Sequence, residues 1–228
     1  MPRGDSIIND ADEAYNIILD AIVTQQLAPS QKVSENILSD TFGISRTIAR
    51  NLIERLIAKH FLVSISPRVT QVTPLTLMEI KQNFALRKMI LPSVIAMAAP
   101  TADYDSLHAI NDKIQDMLPV EDDHSALVTL KANRQLNLQL CSTAGYPMMY
   151  DWVKQLEDMT MRIYWLYIKI QKSFPYSSEY QQATFEVMKN GGSSKTQKAI
   201  LDMLTQTEER ILNAIFAHDQ FYTQDLKI

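Results

Sequence analysis

The sequence predicts a mainly α-helical protein that contains one small β-hairpin and is organised in two parts. Apolar residues recur at helical spacing along most of the 228 residues. Only 5 glycines and 9 prolines occur, which favours long helices over a sandwich of short strands. A single β-branched run, FLVSISPRVTQV, interrupts the helical pattern and is typical of a hairpin.

The composition predicts a cytoplasmic protein with no membrane partner. Hydrophobic residues make up 46% of the chain, which is enough to bury a core, and the net charge of −4 gives no overall basic field. The single Cys141 cannot form an internal disulfide, which fits a reducing compartment. No run of 18 apolar residues occurs, and the beginning, MPRGDSIINDADEAY, lacks an apolar signal core.

The first part, residues 1–74, has the pattern of a helix-turn-helix followed by a wing. After an amphipathic helix over residues 7–26, a short helix runs over residues 34–42, with Ile37, Leu38 and Phe42 predicted to face inward. Gly43 closes that helix, and Ser45 can cap a second helix that reaches residue 59. Two short helices joined by a tight turn predict a helix-turn-helix, and the hairpin that follows is its wing.

The second part, residues 75–228, predicts an all-α antiparallel bundle. Pro92 is expected to kink its first helix, and proline and glycine clusters separate the later ones. The predicted helices span residues 76–97, 104–117, 123–143, 148–170, 178–190 and 194–219.

The second helix of the helix-turn-helix separates charge from apolar surface. At 100° per residue, Arg46, Thr47 and Arg50 share one side, whereas the opposite side is apolar. Residues 30–70 carry six basic and three acidic side chains, a local charge of +3. Because a recognition helix meets the major groove with its N-terminal residues, this layout predicts double-stranded DNA as a partner.

The stretch FGISRTIARNLIERLIAKHFLVSISPRVTQV resembles the winged helix-turn-helix of GntR-type bacterial transcription regulators. The resemblance implies DNA contacts by the side chains of Ser45, Arg46, Thr47 and Arg50, together with Glu35 and Asn36 near the DNA backbone. Two positions depart from the family pattern. Ile48 replaces a proline in the first turn, and Val69 replaces the wing glycine, which leaves Arg68 as the expected wing contact.

The second part resembles the effector domain of the FadR subfamily, the FCD domain. The stretch LTLMEIKQNFALRKMILPSVIAMAA carries the resemblance, with Arg87 in place and Leu91 where the family usually has glutamate. The resemblance implies a homodimer on a palindromic operator, regulated by a small-molecule effector. Whether the regulator is a repressor or an activator stays open.

Many domains of this type bind a divalent metal through one aspartate and three histidines, but this chain departs from that pattern. Asn133 and Asn137 stand at the first two ligand positions, and no histidine occurs near the later two, at Tyr180 and at residues 206–207. The four histidines of the chain lie elsewhere. Because asparagine is a poor ligand for such metals, we predict no metal and no other cofactor.

Two interpretations of the bundle remain open. The inward amides of Asn133 and Asn137 could line a metal-free pocket with Arg87, Tyr180 and Thr207, in which the guanidinium of Arg87 clamps the carboxylate of an organic acid. Alternatively, the amides bond within the core and the bundle is only a dimerisation or protein-interaction module. The aromatic run at residues 159–170 fits a cavity wall, a dimer interface or ordinary core.

An enzyme is not predicted. No glycine-rich phosphate loop, HExxH or GxSxG motif occurs, and Cys141 has no histidine nearby in sequence.

Overall fold

The computed structural model describes residues 10–217 and residue 226, and these form two compact units. The first unit covers residues 10–76 and includes Leu226, which follows the second unit in sequence. The second unit covers residues 77–217. The predicted fold class, a winged helix-turn-helix followed by an all-α bundle, is confirmed.

The first unit contains three helices and three strands. The elements are α1 (Ala11–Val23), β1 (Lys32–Val33), α2 (Glu35–Phe42), α3 (Arg46–Ala58), β2 (Leu62–Ser66) and β3 (Val69–Val72). The strands form an antiparallel sheet with the order β1-β3-β2. Strand β1 was not predicted, because two residues are too few to show a period of two.

The turn between α2 and α3 is built from local hydrogen bonds and one glycine. Gly43 ends α2 with a φ of 64°, a left-handed conformation that costs glycine little. Ser39 Oγ donates to the carbonyl of Ile44 at 2.6 Å, which ties the turn back to α2. Ser45 Oγ then accepts from the amide of Ile48 at 3.2 Å and caps α3. The turn therefore fixes the direction in which α3 begins.

Burial of one face of α3 fixes which of its sides meets solvent. Ala49, Leu52 and Leu56 are buried, and α3 packs against α1 and α2. In α2 only Leu38 is fully buried, whereas Ile37 is 40% exposed, so the predicted inward orientation of Ile37 is wrong. A helix of eight residues buries only a narrow stripe, and periodicity alone did not locate its edge.

The second unit contains six α-helices. They are α4 (Leu77–Ala98), α5 (Tyr104–Asp116), α6 (Asp123–Cys141), α7 (Pro147–Gln171), α8 (Ser178–Asn190) and α9 (Gly192–Phe216). Helix α4 packs against α6, α7 and α9, and it continues through Pro92, which is buried within it. Only Gly191 separates α8 from α9, and the φ of 75° at Gly192 permits the reversal.

The core of this unit is a continuous apolar cluster contributed by α4 to α9. It includes Leu91 and Ile95 of α4, Leu136 of α6, Phe185 of α8 and Ile200 of α9. Such contiguous burial supplies most of the free energy that holds amphipathic helices together. Within the ranges that the structure describes, no helix combines the length and hydrophobicity needed to cross a bilayer.

Candidate functional sites

The solvent-facing side of α3 presents the residues that the sequence predicted to contact DNA. Ser45, Arg46, Thr47 and Arg50 are all exposed at or near its N-terminal end. The hydroxyl of Ser45 is already used as the helix cap. The structure therefore places two guanidiniums, one turn apart, on the face opposite the buried stripe.

An ion pair connects this face to the start of α2. Arg50 Nε donates to Glu35 Oε1 at 2.8 Å, and Arg50 Nη2 donates to Glu35 Oε2 at 3.4 Å. The two side chains remain 66% and 36% exposed, so the pair is open to solvent. The hydrogen bond from Arg50, helped by the charge of Arg46, lowers the pKa of Glu35, and the same contact raises the pKa of Arg50.

The remaining predicted DNA contacts lie beside α3 in the chain. Asn36 is exposed in the first turn of α2, and Arg68 is exposed at the turn between β2 and β3. Arg55 has a different, structural role. Its Nη1 donates to Asp12 Oδ1 at 2.6 Å, and its guanidinium lies 4.0 Å from the ring centre of Tyr15 in α1.

The second unit encloses a cavity of about 150 Å³ that contains the predicted effector residues. Helices α4, α6, α7, α8 and α9 and the loop between α7 and α8 contribute to its wall. Exposed residues such as Gln206 and Arg210 belong to the lining, so the cavity reaches the surface. The side chains brought together include Arg87, Asn133, Asn137, Tyr164, Tyr176, Tyr180, Gln181, Gln206, Thr207 and Arg210.

A buried network of charged and amide groups crosses the inner end of this cavity. Arg87 and Glu157 are only 2% and 1% exposed, and Arg87 Nη2 lies 2.9 Å from Glu157 Oε1. Arg87 Nε also donates to Oε1 at 3.1 Å, while Asn137 Nδ2 donates to Oε2 at 2.7 Å. The carboxylate of Glu157 thus joins α4, α6 and α7.

The surroundings raise the pKa of the Arg87 guanidinium and of the neighbouring Cys141 thiol. Burial alone lowers the pKa of Arg87, but the charge of Glu157 and contacts with Tyr164 outweigh it and raise that pKa. Burial, together with the charge of Glu157, raises the pKa of the Cys141 thiol well above its usual value. Because the thiolate is the reactive form, this shift and the burial of Cys141 disfavour a role as a nucleophile.

Several polar groups of the cavity lack protein partners. Arg87 Nη1 and Gln181 Nε2 are buried, and neither has a hydrogen-bond acceptor of acceptable geometry within the described residues. Asn133, only 6% exposed, lines the same cavity. Arg210 forms no ion pair with a described carboxylate. The unmet groups include donors on three walls, so the cavity is complementary to a molecule rich in acceptor oxygens.

The donor chemistry of the cavity does not fit the divalent metal that the family resemblance implies. Asn133, Asn137, Tyr180 and Thr207 stand at or near the four ligand positions, and they do line one cavity. Their amides and hydroxyls are weak ligands, and both oxygens of Glu157 already accept hydrogen bonds from Arg87 and Asn137. No group of three or more His, Cys, Asp or Glu side chains within residues 10–217 and 226 could hold a metal ion.

Sequence reasoning missed Glu157, Gln181 and Arg210, whereas Tyr164 lies in the aromatic run for which a cavity wall was one interpretation. For Glu157 a signal was available, since it lies four residues from both Val153 and Met161 and therefore on the buried face of α7. A carboxylate at such a position requires a buried cation as its partner. Gln181 and Arg210 gave no comparable signal, because only the packing of α8 and α9 brings them to the cavity.

Comparison with known families assigns the second unit. Residues 82–206, more than half of the chain, match the model of the FCD domain. The chain belongs to the FCD domain family. The match begins within α4 and ends within α9, so it contains the Arg87–Glu157 network and both asparagines. The predicted resemblance to an FCD domain is therefore confirmed.

Solved structures with a similar fold extend over both units. Escherichia coli McbR/YncC has a TM-score of 0.73 at 14% identity, and a structural-genomics structure assigned to a GntR transcriptional regulator of Rhodococcus sp. RHA1 has 0.70 at 14%. In each case 89% of this chain and 97% of that chain are covered. Lar of Listeria monocytogenes, which controls expression of the agr system, has 0.59 at 19%, covering 89% of this chain and 96% of its own. No curated protein matches in sequence.

The buried ion pair of the FCD domain predicts a strong energetic coupling. Arg87→Met and Glu157→Met should each lower the free energy of unfolding by about 3–5 kcal/mol, because each leaves one unpaired buried charge. The double variant should lose at least ~2 kcal/mol less than the sum. Urea denaturation of the four proteins measures this coupling. The exposed pair Lys169–Asp123, with side chains 29% and 70% exposed, is the control and should couple by less than about 1 kcal/mol. If the two pairs have equal coupling energies, the buried Arg87–Glu157 pair is not the strong contact inferred here.

Proposed function

We propose that the protein is a bacterial transcription regulator. Its winged helix-turn-helix binds operator DNA, and its FCD domain binds a small acidic effector without a metal ion. The observation that carries the proposal is the exposed Arg46 and Arg50 pair on a helix whose other face is buried. The fold neighbours that are transcription regulators support the same assignment. We further propose that it acts in the cytoplasm and has no enzymatic activity.

The geometry of α3 supports insertion into the major groove. The arginines lie near its N-terminal end, where recognition helices meet base edges. Arginine suits that position, since its fork donates two hydrogen bonds to guanine or to phosphate. Thr47 adds a small donor on the same face, Arg68 offers a contact from the wing, and Asn36 stands at the start of α2.

Arg50→Ala should weaken binding to a selected operator by about 10-fold to 100-fold, because a base contact is lost. Arg55→Ala removes the same charge from the same helix but on the side that faces Asp12 and Tyr15. It should change operator affinity by less than about threefold after correction for any loss of stability. Fluorescence anisotropy with a labelled duplex measures both effects. If the two variants bind the operator with equal affinity, α3 is not the recognition helix.

Exposed apolar residues on α4 support a homodimer. Met78, Leu86, Met89 and Met97 are between 39% and 74% exposed and recur along one side of the helix. An antiparallel contact of two such helices about a two-fold axis would cover them. Two symmetry-related winged helix-turn-helix units then match a palindromic operator with half-sites about one helical turn of DNA apart.

The dimer predicts a clear difference between two methionine substitutions. Met89→Glu, at a side chain that is 74% exposed, should convert the protein to a monomer in sedimentation velocity at micromolar concentration, because two charges would be buried together. Met148→Glu, at a similarly exposed position on α7, should leave the dimer intact. If the wild type is a monomer, the proposed dimer does not form. If both variants dissociate, the dimer contact is not confined to α4.

The cavity supports an acidic effector of small size. Arg87 Nη1 and Gln181 Nε2 are buried in the cavity without hydrogen-bond acceptors among the described residues. Arg210 adds a positive charge to the lining, and no described carboxylate forms an ion pair with it. The Arg87 and Glu157 charges cancel, so the lining is net positive. A cavity of about 150 Å³ holds a molecule near the size of benzene. A compact carboxylic acid meets both requirements, whereas a long-chain ligand does not.

Binding of such an acid should not depend on metal. Protein treated with EDTA should contain no stoichiometric divalent metal by elemental analysis. Within a panel of small acids, one should still raise its melting temperature by roughly 5–10 °C at about 100 times its dissociation constant. Arg210→Gln should reduce that shift, whereas Lys198→Gln on the same helix should not. Loss of the shift on EDTA treatment, with recovery on adding metal, would overturn the metal-free site.

A second function is favoured by one observation. Arg87 and Asn137 are already paired with Glu157, so the network is partly satisfied without a ligand. In that case the FCD domain only dimerises or binds another protein. No stabilisation by any acid of suitable size, together with an intact dimer, would support this alternative.

A further inference from the structure

We propose that Glu35 is a positioning residue. It orients Arg50 for recognition of a base and lowers affinity for non-specific DNA. This role differs from the backbone contact that the family resemblance implied for it. The inference rests on the proposed function, because it requires that α3 meets a duplex.

The ion pair leaves one edge of the Arg50 guanidinium available. Nε and Nη2 donate to the two carboxylate oxygens of Glu35 at 2.8 and 3.4 Å, so the side edge is occupied. Nη1 has no acceptor in the described ranges, and the side chain is 66% exposed. The terminal edge, Nη1 with the second hydrogen of Nη2, can still donate to O6 and N7 of a guanine. Glu35 thus holds the guanidinium in a state in which that edge is unoccupied.

Glu35 is itself held in place by the start of α2. It is the first residue of the helix, directly after Ser34, whose Oγ accepts from the amide of Ile37 at 3.2 Å. A carboxylate at this end of a helix is favoured by the helix dipole. A long arginine side chain has many rotamers, and a partner on a rigid element reduces the entropy that binding must remove.

The charges around Arg50 also limit its attraction to phosphate. Arg46 and Arg50 face two carboxylates, Glu35 and the exposed Glu54 of α3, both within electrostatic range of Arg50. The charges of these four side chains sum to zero, so together they add little non-specific attraction to phosphate. Because non-specific affinity depends on phosphate neutralisation, base contacts then decide where the protein binds.

The test begins with selection of an operator from a random duplex library by the wild-type protein. Dissociation constants for the selected duplex and for a scrambled duplex are then measured at several salt concentrations. Glu35→Gln should bind the scrambled duplex about 3-fold to 10-fold more tightly, with a salt slope steeper by about one. Its ratio of specific to non-specific affinity should fall about 10-fold. Asp40→Asn removes an equal charge from the exposed side of the same helix and should leave that ratio within about twofold.

A second variant separates orientation from repulsion. Glu35→Asp keeps the charge but is too short for both hydrogen bonds, so the ratio should fall while scrambled-duplex affinity stays unchanged. In an Arg50→Ala background, Glu35→Gln should have no effect on the ratio beyond that of Asp40→Asn. The Arg50 Nε–H resonance in NMR spectra should move in Glu35→Gln and stay in place in Asp40→Asn.

The outcomes distinguish failure of the positioning role of Glu35 from failure of the proposed function. If Glu35→Gln and Asp40→Asn behave alike, net charge alone acts and the positioning role is overturned. If Glu35→Asp keeps the full ratio, orientation by the two hydrogen bonds is overturned. If the wild type enriches no sequence from the library, the proposed function itself fails.

Discussion

The buried pair of Arg87 and Glu157 is the contact on which the helical unit depends. Charges that are 1–2% exposed cannot stay unpaired without a cost of several kcal/mol, so α4 and α7 must lie where these side chains meet. Asn137 adds a third helix through the second carboxylate oxygen. The apolar cluster supplies most of the stability, but it tolerates sliding of similar side chains. The polar network does not, and it therefore fixes the register of the helices that form the cavity.

That register also explains why the cavity is polar at its inner end. Glu157 uses Nε and Nη2 of Arg87, and the geometry of the fork leaves Nη1 pointing away from the carboxylate without a partner. A half-satisfied buried network is costly in an isolated protein, unless a ligand or ordered water completes it. An anion at Nη1 would compete with Glu157 for one guanidinium. Ligand binding would thereby act on the contact that joins α4 to α7, which gives an effector a physical route to favour one helix arrangement.

Much of this organisation could be predicted from the sequence, and the limits have physical causes. The helices, the Gly43 turn, the Ser45 cap and the inward Asn133–Asn137 pair follow from spacing of four residues or fewer, which local geometry fixes. Strand β1 was not predicted from the sequence because it has only two residues. Sequence reasoning did not assign Glu157, Gln181 and Arg210 to the site, because only packing between helices distant in sequence brings them to the cavity. No single-chain periodicity carries that information.

The two units use the same chemical pair, an arginine with a glutamate, for opposite purposes, and burial decides which. In the helical unit the pair is shielded from water, so exchanging its partner is expensive and the contact maintains structure. On α3 the pair is open to solvent, where ion pairs contribute little to stability. A partner that contributes little can be kept or replaced at little cost when a duplex arrives. In the functions proposed above, the exposed glutamate orients its arginine without trapping it, and the buried one holds its arginine unless an anionic ligand competes.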